Sequence, residues 1–206
     1  WLLAPDMRLF LDLIEDLDLN TVCQSAKCPN IAKCWHRRTA TFMLLGNRCT
    51  RKCTFCAIDS FKPEPVDADE PGKVAEAAAH LALKYVVVTS VNRDDLPDKG
   101  AGHFAETIEA LRQRIPDAGI EVLTPDFKGR RPLVEQVLAA KPTVFNHNME
   151  TCERLTGPVR SGARYDRSLS VLAMAKQLAA PGQTATKSGI MVGLGETDAE
   201  VETVLR

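Results

Sequence analysis

No charge of one sign dominates this sequence. Its 26 Lys and Arg stand against 27 Asp and Glu, for a net charge of −1. With no basic excess to neutralise phosphates, there is no electrostatic case for a nucleic-acid partner. No window reaches the roughly 18 apolar residues of a membrane span. The start, "WLLAPDMRLF", has Asp6 inside its apolar stretch and no small-residue cleavage site, so it does not resemble a signal peptide. What remains, 206 residues at 45% hydrophobic and 26% charged, reads as soluble and globular, one domain or one large domain fragment.

The sequence also lacks the cysteine count and spread of a secreted disulfide scaffold. It has seven cysteines, an odd number, and six of them fall between Cys23 and Cys56. That clustering points to a reducing, cytoplasmic compartment in which the thiols serve a metal.

After the cysteine region one pattern repeats: a β-branched apolar run, a turn, then an Ala- and Leu-rich stretch at helical spacing. This is the signature of βα units. Strands are expected over 39–45, 85–90, 119–124, 143–148 and 188–193, all apolar enough for burial on both faces of a parallel sheet. Helices are expected over 72–84, 103–115, 131–140 and 166–180, with Pro71, Pro116 and Pro181 just outside them. A last helix starts near Thr197, an N-cap with Glu200 three residues on. Five strands with none after that helix read as an unfinished parallel barrel or sheet whose C-terminal part is missing.

In such folds the loops after the strands form the ligand face. Here they read "GNRCTRKC", "TSVNRDD", "TPDFKG", "NHNMET" and "GLGET". Most of these residues fit equally well as turn formers and helix caps. The cysteines do not. Cys49, Cys53 and Cys56 stand at C-x3-C-x2-C, and three thiols on one short loop can hold three corners of a [4Fe-4S] cube. The fourth iron is left open, which is what separates a working metal site from a closed structural one.

A second triad, Cys23, Cys28 and Cys34, stands at C-x4-C-x5-C, so two clusters are expected. Zinc is the alternative, with His36 as a fourth donor to either triad. Arg48, Arg51 and Lys52 either lower the neighbouring thiol pKa values and offset a negative cluster or form a solvated basic loop. Phe55 either stacks on an adenine ring or fills core. Cys152 reads as a free thiol at a helix start. His36, His80, His103 and His147 read as surface or packing residues, with His147 alone at a strand tip.

The C-x3-C-x2-C loop after the first strand resembles the radical SAM superfamily, whose open iron chelates S-adenosylmethionine (SAM). The C-x4-C-x5-C triad, with "VVVTSVNRDDLPDKGAGHF", "EVLTPDFKG", "NHNMET" and "GIMVGLGET", resembles the lipoyl synthase family within it. The resemblance implies an α/β fold: a partial (βα)6-type TIM-like barrel over 39–206, with an N-terminal cysteine-rich extension over 1–38. It implies that Cys49, Cys53 and Cys56 ligate the cluster that cleaves SAM to a 5'-deoxyadenosyl radical. Cys23, Cys28 and Cys34 then hold an auxiliary [4Fe-4S] cluster that donates sulfur. The implied reaction inserts two sulfur atoms, at C6 and C8 of an octanoyl group on a lipoyl carrier domain, either a 2-oxoacid dehydrogenase E2 component or the glycine cleavage H protein. A ferredoxin or flavodoxin is the implied reductant.

Phe55, Ser90, Asn92, Asn148 and Glu150 are the implied SAM contacts, and "GIMVGLGE" lies near adenine with Met191 where the superfamily usually has isoleucine. Two departures stand out. The family's serine ligand to the auxiliary cluster, in an Arg-Ser-Ser-Tyr motif, lies beyond the end of this chain, and Asn92 replaces a common aspartate. Competing expectations are another radical SAM enzyme with an auxiliary cluster, a two-cluster electron carrier, and a zinc-stabilised binding module.

Overall fold

The computed structural model describes residues 5–206. The leader reading of the first ten residues falls partly on 1–4, outside the described residues. Three helices come first: α1 (Pro5–Asp16), α2 (Val22–Ser25) and α3 (Ile31–His36). Then β1 (Thr39–Leu44), α4 (Glu70–His80), β2 (Tyr85–Ser90), α5 (Ala101–Arg114) and β3 (Gly119–Leu123) alternate. After β3 come α6 (Arg131–Ala139), β4 (Val144–Asn146), α7 (Glu153–Val159), α8 (Tyr165–Leu178), β5 (Ala185–Lys187) and α9 (Asp198–Leu205).

The five strands pair in parallel in the order β1-β2-β3-β4-β5. Sequential order without reversal is the wall of a barrel, whereas a doubly wound sheet would reverse at a switch point. One face is apolar because alternate side chains (Phe42, Leu44, Val86, Val88, Ile120, Val122 and Phe145) are fully buried on it. The helices supply the matching face through Val74, Phe104, Ile108, Leu111, Val134 and Val171. The opposite face of the sheet lines the barrel interior.

The cysteine-rich extension is fastened to the free edge of β1. Met43 N–H donates to the Asn20 carbonyl at 2.8 Å, and Thr21 bridges antiparallel to Phe42. Phe10 of α1 stacks on Trp35 of α3. The exposed ladder edge of β1 is thereby covered.

Two expectations change. The fifth strand is Ala185–Lys187, not 188–193. Its partner β4 is only three residues long, and the Ile-Met-Val run beyond it is loop, joined to the tip of β4 by Glu150 N–H to the Gly189 carbonyl and Met191 N–H to the Glu150 carbonyl. Gly193 and Gly195, at φ 97° and 107°, then turn the chain, and Glu196 caps the Gly193 and Leu194 N–H groups. Pro71 sits inside the first turn of α4, where a missing N–H costs nothing. The capping box at Thr197 and Glu200 is formed as expected.

Candidate active site

Strand β1 ends at Leu44, and Leu45 and Gly46 turn off the sheet at φ 68° and 86°. That departure is held from below. Leu45 N–H donates to Glu70 Oε2 (2.9 Å), the oxygen that also meets His103 Nε2 at 2.6 Å, both side chains being buried. The cysteine loop follows. Cys49 N–H donates to the Asp59 carbonyl, and Cys49 Sγ accepts from Arg51 N–H (3.4 Å) and Asn92 N–H (3.3 Å). Thr50 donates through both N–H and Oγ1 to the Asn92 carbonyl, and Asp94 N–H returns to Thr50 Oγ1. Thr54 N–H donates to the Val159 carbonyl. The loop is thus sewn to the tips after β2 and α7 by its own backbone.

Cys49, Cys53 and Cys56 open onto one cavity of about 440 Å3 at the C-terminal ends of the strands. Phe55, Ser90, Asn92, Asn148 and Glu150 line the same cavity. Residues scattered over a hundred positions of sequence therefore converge here. Cys23, Cys28 and Cys34 do not line it, although their neighbours Val22, Ser25 and Ala26 do. Among the described residues no three His, Cys, Asp or Glu side chains gather closely enough to share one metal ion. A cube is less demanding, since its thiolates bind separate irons rather than one centre. The thiol chemistry of the first triad fits such a group, and so does Ser90, whose Oγ is buried at the cavity without a partner.

Of the basic residues of the loop, exposed Arg48 and Lys52 follow the solvated-loop expectation and only Arg51 departs from it. Arg51 is buried, lines the same cavity, and has its guanidinium taken up by two carboxylates. Its Nε and Nη2 donate to Asp94 (2.8 and 2.9 Å), and Nη1 and Nη2 donate to Asp126 (3.1 and 2.7 Å). Arg167 also reaches Asp126, and Lys128 reaches Asp94. Burial pushes the Asp126 carboxyl up, but Arg51 overrides it and holds the group well below the usual carboxylate range. Arg48 pairs with exposed Glu64 instead. Burial raises the Cys53 thiol pKa, and the cation that opposes this is Arg160, which no sequence signal singled out.

Arg160 is buried, lines the cavity, and donates from Nη1 to the Met149 carbonyl and Ser168 Oγ. Burial also raises the Glu150 pKa, against a hydrogen bond from Asn148 and the charge of Arg160. Glu150 itself sits at φ 64°, a backbone conformation concentrated at functional sites. A Cβ on Gly189 would lie 2.8 Å from Asn148 Oδ1, so glycine is what lets that amide approach.

His147 is buried in the cavity wall, a packing rather than a surface residue. Its Nδ1 donates to the Thr124 carbonyl, which fixes the tautomer and leaves Nε2 to accept from Ser168 Oγ. Burial lowers its pKa to about 4, with Arg160 and Arg51 adding and the bond to the Thr124 carbonyl and the Asp126 charge opposing. The unfolded imidazole titrates near 6.5, so between these values the unfolded state binds more protons. Stability is therefore full above about pH 6.5 and is lost as pH falls toward 4, by at most about 3 kcal/mol. Denaturant unfolding on either side of this window should show His147→Gln losing less stability than the parent; equal losses would contradict the assignment.

The model of the radical SAM superfamily matches residues 43–206. The chain is 51% identical to the lipoyl synthase of Rubrobacter xylanophilus, over 98% of this chain and 63% of that protein. It is 55% identical to that of a Roseiflexus species, over 94% and 64%. For that of Caldanaerobacter subterraneus subsp. tengcongensis the identity is 52%, over 100% and 71%. The chain thus spans just under two thirds of the first two relatives. Among solved structures it resembles the [FeFe]-hydrogenase maturase HydG from Carboxydothermus hydrogenoformans (TM-score 0.65, 14% identity, 97% of this chain and 51% of that one). It also resembles methylornithine synthase (TM-score 0.61, 13% identity, 94% and 58%). At such identities these two show the fold alone.

Proposed function

The chain belongs to the lipoyl synthase family of the radical SAM superfamily, and from that premise we propose that it forms the core of a cytoplasmic sulfurtransferase that inserts sulfur at C6 and C8 of a protein-bound octanoyl group. Residues 39–206 are the partial barrel that carries SAM chemistry, and residues 1–38 are the extension that carries the sulfur donor. Cys49, Cys53 and Cys56 hold the [4Fe-4S] cluster that binds SAM, and Cys23, Cys28 and Cys34 hold an auxiliary one. The bound cluster and SAM supply the one-electron chemistry that an unactivated methylene requires and side chains cannot provide.

The chain's own residues bind and orient. The N–H groups of Arg51 and Asn92 aim the Cys49 sulfur. Ser90 and Asn92 offer hydrogen bonds to the methionine end of SAM, and Asn148 and Glu150 to its sugar. Phe55, at the mouth and 38% exposed, covers one side of the adenine. Arg160 places a cation beside Cys53 and Glu150, where a negative cluster and a carboxylate converge. Octanoylated E2 components or the H protein are the carriers, and a ferredoxin or flavodoxin is the reductant.

One observation supports this reading above the rest: three thiols open onto one cavity together with the polar tips of the second and fourth strands. An electron carrier needs four ligands per cluster and no substrate cavity. The test uses the full encoded protein, reconstituted anaerobically and given dithionite, SAM and an octanoylated carrier peptide. Formation of 5'-deoxyadenosine with a doubly thiolated peptide is expected. Cleavage without thiolation would overturn the lipoyl assignment alone, and no cleavage would overturn both.

A further inference from the structure

The strand register divides the barrel interior into rows. Met43, Thr89, Leu123, Asn146 and Lys187 are aligned across the five strands, and Met43, Thr89 and Leu123 of this row line the cavity. Two residues lower on each strand, about 7 Å deeper, comes the row Thr41, Val87, Glu121, Val144 and Ala185. In it Glu121 is 5% exposed and carries three donors: Tyr85 Oη at 2.8 Å, Asn146 Nδ2 at 3.1 Å and Lys187 Nζ at 2.8 Å. None of these four residues belongs to the cysteine loops, and of the polar tips only "NHNMET" contributes one, its first residue Asn146. Beside the cavity-lining Met43, Thr89 and Leu123 of the upper row, buried Asn146 and half-exposed Lys187 thus reach down, on the β3–β5 side, to a clamped carboxylate.

The geometry of Asn146 sharpens this floor. A carboxylate accepts hydrogen bonds and cannot donate, so the amide must turn its NH2 to Glu121. Its Oδ1 is then buried with no donor, in a side chain that is 5% exposed. An aliphatic chain descending past Met43 and Leu123 gains from apolar contact until it passes Asn146, level with them, and meets Glu121 one row deeper. There its methylenes would cover an ion cluster and an orphaned acceptor, removing water and returning no hydrogen bond.

Resting on the reading that the cavity takes an acyl chain, we propose that the Glu121 cluster with Tyr85, Asn146 and Lys187 is the stop that ends the acyl channel and sets its chain length. The carbonyl end is fixed by the carrier lysine at the mouth, so a decanoyl chain pushes two more methylenes into the floor than an octanoyl chain does.

The test compares octanoyl and decanoyl carrier peptides on the full encoded protein, by calorimetric binding and by kcat/KM. The parent is expected to prefer octanoyl by about tenfold or more, the range of a pocket that reads methylenes. Glu121→Ala, which removes the carboxylate and opens space, should reduce that preference by about tenfold, and Glu121→Gln, which keeps a polar plug, should retain it. Asn146→Leu, which replaces the orphaned acceptor with apolar surface at similar volume, should shift the preference in the same direction as Glu121→Ala. A purely structural role would lower both peptides in proportion and leave the ratio unmoved, and an unmoved ratio overturns the proposal. Should the parent neither bind nor convert the octanoyl peptide, the acyl reading fails and the stop with it.

Discussion

Cys53→Ala is expected to abolish SAM cleavage, while Cys28→Ala cleaves SAM at close to the parental rate and inserts no sulfur. The asymmetry follows from position. Cys53 opens onto the same cavity as the tips after β2 and β4, whereas Cys28, three residues after the short helix α2, does not line it. Changing a residue that merely orients a metal ligand costs about 10- to 100-fold, so losing one of only three ligands should exceed about 100-fold. Little of the fold depends on either sulfur: apart from the Ser161 backbone hydrogen bond to Cys53 Sγ, the hydrogen bonds around both residues run through backbone, as in Cys56 N–H to the Cys53 carbonyl and Cys28 N–H to the Cys23 carbonyl. Mass spectrometry of 5'-deoxyadenosine and of the peptide product separates the two outcomes. Identical behaviour of the two variants would show that the triads are not divided as argued.

Arg51→Ala should cost about 3–5 kcal/mol, because it leaves Asp126, with no exposed side chain, and Asp94 facing each other across a buried gap with one cation fewer. For a chain of this size that corresponds to a fall in Tm of roughly 6–20 °C. Arg51→Lys should recover only part of it, since an ammonium cannot form two bidentate pairs at once. Thermal unfolding of cluster-free protein isolates this effect from metal binding. Destabilisation below about 1 kcal/mol would mean that the ion pairs are screened as surface pairs are. Arg51 lies between Cys49 and Cys53, so the same change should also loosen the loop that must present three sulfurs together.

How far sequence reached depended on how local each signal was. The triads, the Thr197 capping box and the runs of β1 to β3 are legible because their residues lie within a few positions of one another. The fifth strand was misplaced because the Ile-Met-Val run looks extended, while its pairing depends on where β4 stops, information held some forty residues away. Arg51 could be read as a solvated base because its partners lie 43 and 75 positions on. Arg160 sits in "GPVRSGARYDR", a stretch with the look of a polar surface turn, and only folding carries it to Cys53. His147 was visible as a strand-tip residue, but its buried, tautomer-fixed state comes from Thr124 and Ser168 on other elements. Helices α1 to α3 are not legible in the sequence, and α7 is legible only at its start, Cys152, because Gly157 and Pro158 mask the rest of its pattern.

The central claim is an iron-sulfur cube with one coordination position left for a small molecule. The most direct measurement is electron paramagnetic resonance of the anaerobically reconstituted, dithionite-reduced protein, before and after SAM, alongside iron analysis. The account predicts about eight iron atoms per chain, four for each of two clusters, and a change in the reduced-cluster spectrum when SAM is added, lost in Cys53→Ala. Protein without iron, or a reduced spectrum indifferent to SAM, would contradict it.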